Sequence, residues 1–221
     1  MRPKLDWRAV LSGGALCFAY ICAAAMPSAA LAQDTQGTTP TATASKVAVS
    51  DRRLNVRMGR RAVVRGRIQP AGSTVALQVR RHGRWFTLDR DRTDAYGRYV
   101  LRNRMRSPMS ARARVRVSRG PAGKQGLGRL NVYRHALASW YGPGLYGNRL
   151  GCGGRLGPSQ LGVAHKSLPC GTRVTLRHRG RVVRVPVIDR GPYVGAREYD
   201  LTAATARRLK FSGHGTILST R

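Results

Sequence analysis

Acidic residues are scarce in this sequence. Nine Asp and Glu face 41 Lys and Arg, a formal net charge of +32 over 221 residues. From Arg134 to Arg221 the only carboxylates are Asp189, Glu198 and Asp200. Acid–base chemistry in that region must draw on one of three side chains. Lysine is nearly missing too: five residues, the other basic positions being Arg. Genomic base composition alone can produce that imbalance, so the charge does not name a partner. The motifs that would turn it into nucleic-acid binding are missing: there is no Cys/His finger spacing, no aromatic RNP-type strand and no helix-turn-helix pattern. Nucleic acid is therefore not expected as a partner, which leaves anionic lipid or an anionic cell wall as the polyanionic surrounding.

No apolar run reaches the about 20 residues that span a bilayer. The longest, from Ala9 to about Ala25, is broken by Ser12-Gly13-Gly14. Arg2, Lys4 and Arg8 precede it, and Pro27, Ala30-Leu31-Ala32 and Gln33-Asp34 follow. This is the layout of a signal peptide over residues 1–32, cleaved after Ala32, and it predicts an exported, extracytoplasmic protein. Cys17 and Cys22 each follow a bulky residue (Leu16, Ile21) rather than a lipobox, so no stable membrane anchor is expected. Losing Arg2, Lys4, Arg8 and Asp6 leaves a net charge of +30.

Two cysteines then remain, Cys152 and Cys170. No CxxC or HxxxH accompanies them, which argues against a metal site. An oxidising compartment argues against a catalytic thiol. A disulfide between them is the expectation, and such bridges typically add roughly 2–4 kcal/mol. No cofactor and no metal is expected, and a monomer is.

Residues 33–45 are polar and turn-rich and read as a disordered linker. Residues 46–133 carry short alternating runs, among them Arg61 to Ile68, Thr74 to Arg80, Arg84 to Leu88, Gly97 to Leu101 and Ala113 to Val117. Their spacing predicts a small immunoglobulin-like β-sandwich. Val75, Leu77 and Val79 share one face, and Trp85 is read as core in preference to a sugar platform. Arg119 to Gly128, with Gly120-Pro121-Ala122-Gly123, reads as a second loop or linker. Residues 134–221 form a second domain. Strands are expected at Leu137–Tyr141, Gly162–His165, Arg173–Arg177, Arg181–Ile188 and Thr216–Ser219, with a helix over Thr202–Lys210 capped by Asp200 or Thr202. Many short strands and one helix predict a small closed barrel. The fold class is thus mainly β, a sandwich followed by a barrel.

In Val187-Ile188-Asp189-Arg190-Gly191-Pro192-Tyr193 an apolar strand stops at a carboxylate and a Gly-Pro turn. A strand end followed by a turn presents its last side chain at a rim. The plainer role for Asp189 is to cap that turn through backbone N–H groups. Trp140 and Tyr141 alternate faces, so one packs inward and the other, Tyr141, faces outward. Glu198 is expected to be exposed.

Several blocks occur in order: Ala138-Ser139-Trp140-Tyr141-Gly142-Pro143-Gly144, Gly147-Asn148-Arg149, Gly162-Val163-Ala164-His165-Lys166-Ser167-Leu168-Pro169-Cys170-Gly171-Thr172, Asp189-Arg190-Gly191-Pro192-Tyr193 and Tyr199-Asp200-Leu201-Thr202. Together, over about residues 136–221, they resemble the rare lipoprotein A family. The resemblance implies a six-stranded double-psi β-barrel acting on peptidoglycan glycan strands, as in septal lytic transglycosylases. It also implies Asp189 as the key acid, His165 as the active-site histidine and Tyr141 in the aromatic block lining the groove. Arg190 and Tyr193, in the acid's own block, are candidate substrate contacts. One position departs from the pattern: where the family often carries Thr-Ala-Ser-Gly-Glu, this chain reads Leu150-Gly151-Cys152-Gly153-Gly154, so the second carboxylate is replaced by Gly154.

Hydrolysis of a glycosidic bond normally uses two carboxyls at a defined separation. Lytic cleavage can use one: it protonates the glycosidic oxygen, the sugar's 6-hydroxyl attacks the anomeric carbon, and a 1,6-anhydro product forms. The sequence thus favours a lytic transglycosylase. An expansin-like module that binds or loosens glycan without turnover is the alternative, and Gly154 favours it. Anionic cell-wall polymers suit the charge under either.

Overall fold

The computed structural model describes residues 46–221, so the signal peptide expected at 1–32 and the linker expected at 33–45 lie outside the described residues. Thirteen strands and one helix follow. Alternation of small apolar and basic residues builds the first half. β1 (Ala48–Arg53), β3 (Arg61–Arg67) and β6 (Arg98–Arg104) form an antiparallel sheet. β4 (Thr74–Arg81), β5 (Arg84–Arg92), β7 (Met109–Arg119) and β8 (Lys124–Tyr141) form a second, in the order β8-β7-β4-β5, and β2 (Asn55–Arg57) adds parallel to β8. Both sheets bury residues in one core, Val64 and Leu101 from the first against Leu77, Val79, Val115 and Leu130 from the second. Each such side chain contributes roughly 1.5–3 kcal/mol by leaving water.

Two expectations need correction here. Trp85 is not core. It is half-buried on the outside of β5, with the Arg114 guanidinium 3.9 Å above its ring, because the inward positions of the sheet are filled by aliphatic residues. Nor is Arg119–Gly128 a linker. The chain turns at Gly120–Gly123 and re-enters the sheet as β8, which runs unbroken to Tyr141. Its first part pairs with β7, its last part with β12 and β13. The glycines that imitate a linker serve a bulge instead: Ala113 pairs with Gly128 and Arg114 with Gly126, leaving buried Leu127 as the extra residue and Gly128 at φ 82°.

β9 (Val163–Ala164), β10 (Arg173–His178), β11 (Arg181–Asp189), β12 (Tyr199–Thr202) and β13 (Gly215–Ser219) join the end of β8 in a closed six-stranded barrel. The order runs β8-β12-β9-β11-β10-β13 and returns to β8. The β8–β12 and β9–β11 pairs are parallel, the rest antiparallel. Val163, Val187, Leu176, Val185, Leu201 and Ile217 fill the interior. Helix α1 (Ala203–Leu209) packs against β11 and β12 and is capped by Thr202, whose hydroxyl accepts the Thr205 N–H at 3.2 Å. Asp200 does not cap it. That residue lies within β12, a strand the sequence reading omitted.

Candidate functional site

Barrel closure brings four strands side by side on one outer face. Ala164 of β9 is the register partner of Asp200 on β12 and, past a bulge between Val187 and Asp189, of Asp189 on β11. Asp200 in turn pairs with Ser139 of β8, and Thr202 with Tyr141. Directly opposed residues point to the same side of a sheet. Tyr199 and Leu201 therefore enter the core while Asp200 faces outward, where it accepts a hydrogen bond from Ser139 Oγ. Two strand spacings put the Asp189 and Asp200 backbones roughly 10 Å apart.

Asp189 is held firmly. Its Oδ1 accepts the Gly151 N–H at 2.7 Å and the Arg190 N–H at 2.8 Å. Among the described residues Oδ2 takes no hydrogen bond, and Asp189 joins none of the three ion pairs. Gly151 is required there: a Cβ on it would lie 2.8 Å from Arg190 Cγ and 3.1 Å from Asp189 Oδ1.

The loop from His165 to Cys170 is braced from within. The His165 N–H donates to the Asp189 carbonyl at 3.1 Å. His165 Nδ1 accepts the N–H groups of Ser167 (3.1 Å) and Leu168 (3.0 Å), so the proton of the neutral ring resides on Nε2. Burial, aided by the charges of Arg134, Arg190 and Lys166, lowers its pKa, with Glu198 acting the other way. The ring packs 5.0 Å from that of Tyr199. Arg190 commits its guanidinium to this loop, donating to the carbonyls of Leu168 (2.7 Å) and His165 (3.1 Å) and to Cys170 Sγ (2.9 Å).

Tyr141 is half-buried, and its enclosed hydroxyl faces the Asp189 carboxylate, close enough to interact but outside regular hydrogen-bond geometry. Burial raises its pKa, and the nearby carboxylates of Asp189 and Asp200 raise it further, so the phenol stays protonated. Its neighbour Trp140 is 39% exposed, the reverse of the inward packing expected of it. Tyr193 stands well out of the fold at 77% exposure. Glu198 is partly covered rather than exposed, clamped by Arg134 through two contacts of 2.9 and 2.5 Å.

Cys152 and Cys170 form a disulfide, as expected, tying the Gly151–Gly154 turn to the histidine loop. Gly154 and Gly153 sit at φ 79° and 92° with nothing within 4 Å of a built Cβ. Among the described residues no group of three or more His, Cys, Asp or Glu is arranged to hold a metal. The sequence reading missed Gly151, Ser139 and Asp200. The alternation Tyr199-Asp200-Leu201-Thr202, apolar then polar, was the signal for the last.

Residues 134–218 match a family model described as lytic transglycolase. The chain is 43% identical over 81 residues to the probable endolytic peptidoglycan transglycosylase RlpA of Synechocystis sp., covering 36% of this chain and 25% of that protein. It is 37% identical over 97 residues to the probable endolytic peptidoglycan transglycosylase RlpA of Aquifex aeolicus, covering 43% of each chain. It is also 40% identical over 82 residues to the endolytic peptidoglycan transglycosylase RlpA of Campylobacter jejuni, covering 36% of this chain and 30% of that one. The chain thus spans between a quarter and about two fifths of the length of these relatives.

Proposed function

We propose, on the match of residues 134–218 to the lytic transglycolase family model and to the RlpA relatives, that the protein is an exported lytic transglycosylase that cleaves peptidoglycan glycan strands to 1,6-anhydro-muramyl ends. The observation that carries the reading is the state of Asp189. Two backbone N–H groups fix Oδ1 and leave Oδ2 free to exchange a proton with substrate. Asp189 gives that proton to the glycosidic oxygen. The muramyl C6 hydroxyl then attacks the anomeric carbon and returns a proton to the same carboxylate, so the step balances without a second acid. The neutral His165 ring adds a donor without adding charge, and the protonated Tyr141 phenol lies against the Asp189 carboxylate. Arg190 acts as a positioning residue through the His165 loop, and the exposed Tyr193 ring contacts glycan at the rim. The sandwich-like first half, read as immunoglobulin-like, serves as a separate wall-facing module.

A second reading has one observation in its favour. Gly154 brings no carboxylate to the place where the family often has one, as fits an expansin-like groove that binds glycan without cleaving it. Mass spectrometry decides between them. Peptide-stripped glycan strands incubated with the exported chain should gain 1,6-anhydro-muramyl ends, and an Asp189→Asn variant should produce none. If neither protein yields such ends while both bind walls, the expansin-like reading replaces the lytic one.

A further inference from the structure

The outer face of the β8-β7-β4-β5 sheet concentrates charge of one sign. Across the strands, Arg129 pairs with Arg112, Arg112 with Arg80, and Arg80 with Trp85. Four residues along, Arg116 pairs with Lys124 and, through Ala76, aligns with Arg90. Between these rows lies Arg114, bonded to Gln78 at 2.9 Å and stacked on Trp85. Like charges directly opposed across strands destabilise a sheet. Burial and, after it, the charge of Arg112 lower the pKa of Arg129; burial and then Arg116 do the same to Arg114.

None of the seven described carboxylates relieves this face. Asp51 and Asp94 pair with Arg65 and Arg98. Asp89 and Asp91 accept backbone N–H groups of β6. Asp189, Glu198 and Asp200 belong to the barrel. Gly126 and Gly128 leave an open floor beside the arginines, in a cleft of about 640 Å³ walled by Trp85, Arg112, Arg129 and Lys124. A fold that keeps several opposed cations beside a half-buried indole, one face of it under Arg114, and an open floor is complementary to an anion carried on a ring.

We propose that this face is a second glycan site, distinct from the barrel groove: Trp85 stacks a sugar ring, and the Arg80–Arg112–Arg129 row takes the carboxylates of a peptide-stripped peptidoglycan strand. The choice of polymer rests on the lytic reading; the site itself does not.

The test measures binding of peptide-stripped strands by calorimetry at two salt concentrations, in an Asp189→Asn background so that the probe survives. Trp85→Ala is expected to weaken binding about tenfold. Arg112→Ser with Arg129→Ser is expected to weaken it by about tenfold and to flatten its salt dependence. The same pair should leave the melting temperature unchanged or higher, because it removes a repulsion. Uncharged chitin oligomers should bind at least about tenfold more weakly than the strands. The proposal is overturned if both variants bind like their parent. It is also overturned if a DNA duplex binds as tightly whether or not Trp85 is present, which marks a general polyanion surface. Turnover by the Asp189-intact chain is assayed separately. Anhydro ends without Trp85-dependent binding keep the lytic reading and remove this one. Trp85-dependent binding without anhydro ends keeps the site and removes the lytic reading.

Discussion

The Gly151 N–H lies 2.7 Å from Asp189 Oδ1, a contact that reaches across 38 residues of chain and that only glycine permits. An alanine there would press on Arg190 Cγ and on the carboxylate together. Gly151→Ala is therefore expected to slow anhydro-end formation by roughly tenfold to a hundredfold, because small displacements of a reacting group carry penalties of that order. The apparent KM for glycan strands should barely move. Wild-type kcat in this variant would show that Asp189 does not owe its placement to the loop.

The hydroxyl of Tyr141 separates stability from function. It is buried, and its nearest polar partner is the Asp189 carboxylate, at a contact that falls short of regular hydrogen-bond geometry. Tyr141→Phe should leave stability in denaturant unchanged or raise it by about 1 kcal/mol. If the phenol holds the Asp189 carboxylate in its reacting position, the same change lowers kcat roughly tenfold or more. A loss of stability with full activity would mean that the hydroxyl has a structural partner, and its functional role would go.

The strand end and the cysteine pair of this candidate site were legible in the sequence, for a physical reason. Asp189 ends an apolar run at a Gly-Pro turn, and a strand end needs no tertiary information to be recognised as a rim. The cysteine pair was legible because so few alternatives remain for two thiols in a chain read as exported. Long-range register was not. Nothing local in Tyr199-Asp200-Leu201-Thr202 says that β12 will lie parallel to β8 and place Asp200 beside Ala164. Without that pairing, an Asp two residues before a helix reads as a cap. Trp85 was misread for a related reason: alternation assigns it to a face, but only the sheet order shows that its face is the outer one. Arg190 needed the fold as well, since its partners lie 20 to 25 residues earlier in the chain.

His165 gives a pH signature. Its pKa is lowered in the folded state, from the ordinary value of about 6.5, chiefly by burial. Below about pH 6.5 the unfolded chain then binds a proton that the folded chain resists, so stability rises with pH through this window. The contribution is fully present above about pH 6.5 and is lost as pH falls toward the lowered folded value. An Asn at 165 keeps an acceptor for the N–H groups of Ser167 and Leu168 but cannot titrate. The gap in melting temperature between the wild type and His165→Asn is expected to be larger at pH 8 than at pH 5. A gap that is constant across that range would mean the ring is as easily protonated in the fold as in the open chain.

Gly154 tests whether one carboxylate is enough. At φ 79° its backbone is in the left-handed region, where an L side chain costs about 1–2 kcal/mol. The space around it is open, so a longer side chain meets strain but no clash. The disulfide between Cys152 and Cys170 holds this turn near the histidine loop, so a carboxylate added there remains close to the groove. Gly154→Glu should therefore fold, with a stability loss of about that size. If Asp189 alone serves as acid and base, the added carboxylate changes the rate of anhydro-end formation by less than about tenfold, or about 1.4 kcal/mol of barrier. The informative contrary result is a wild type without turnover and a Gly154→Glu variant with it. That pattern would mean that the glycine switches the groove from cleaving to binding, and the family's second acid would have to enter the mechanism.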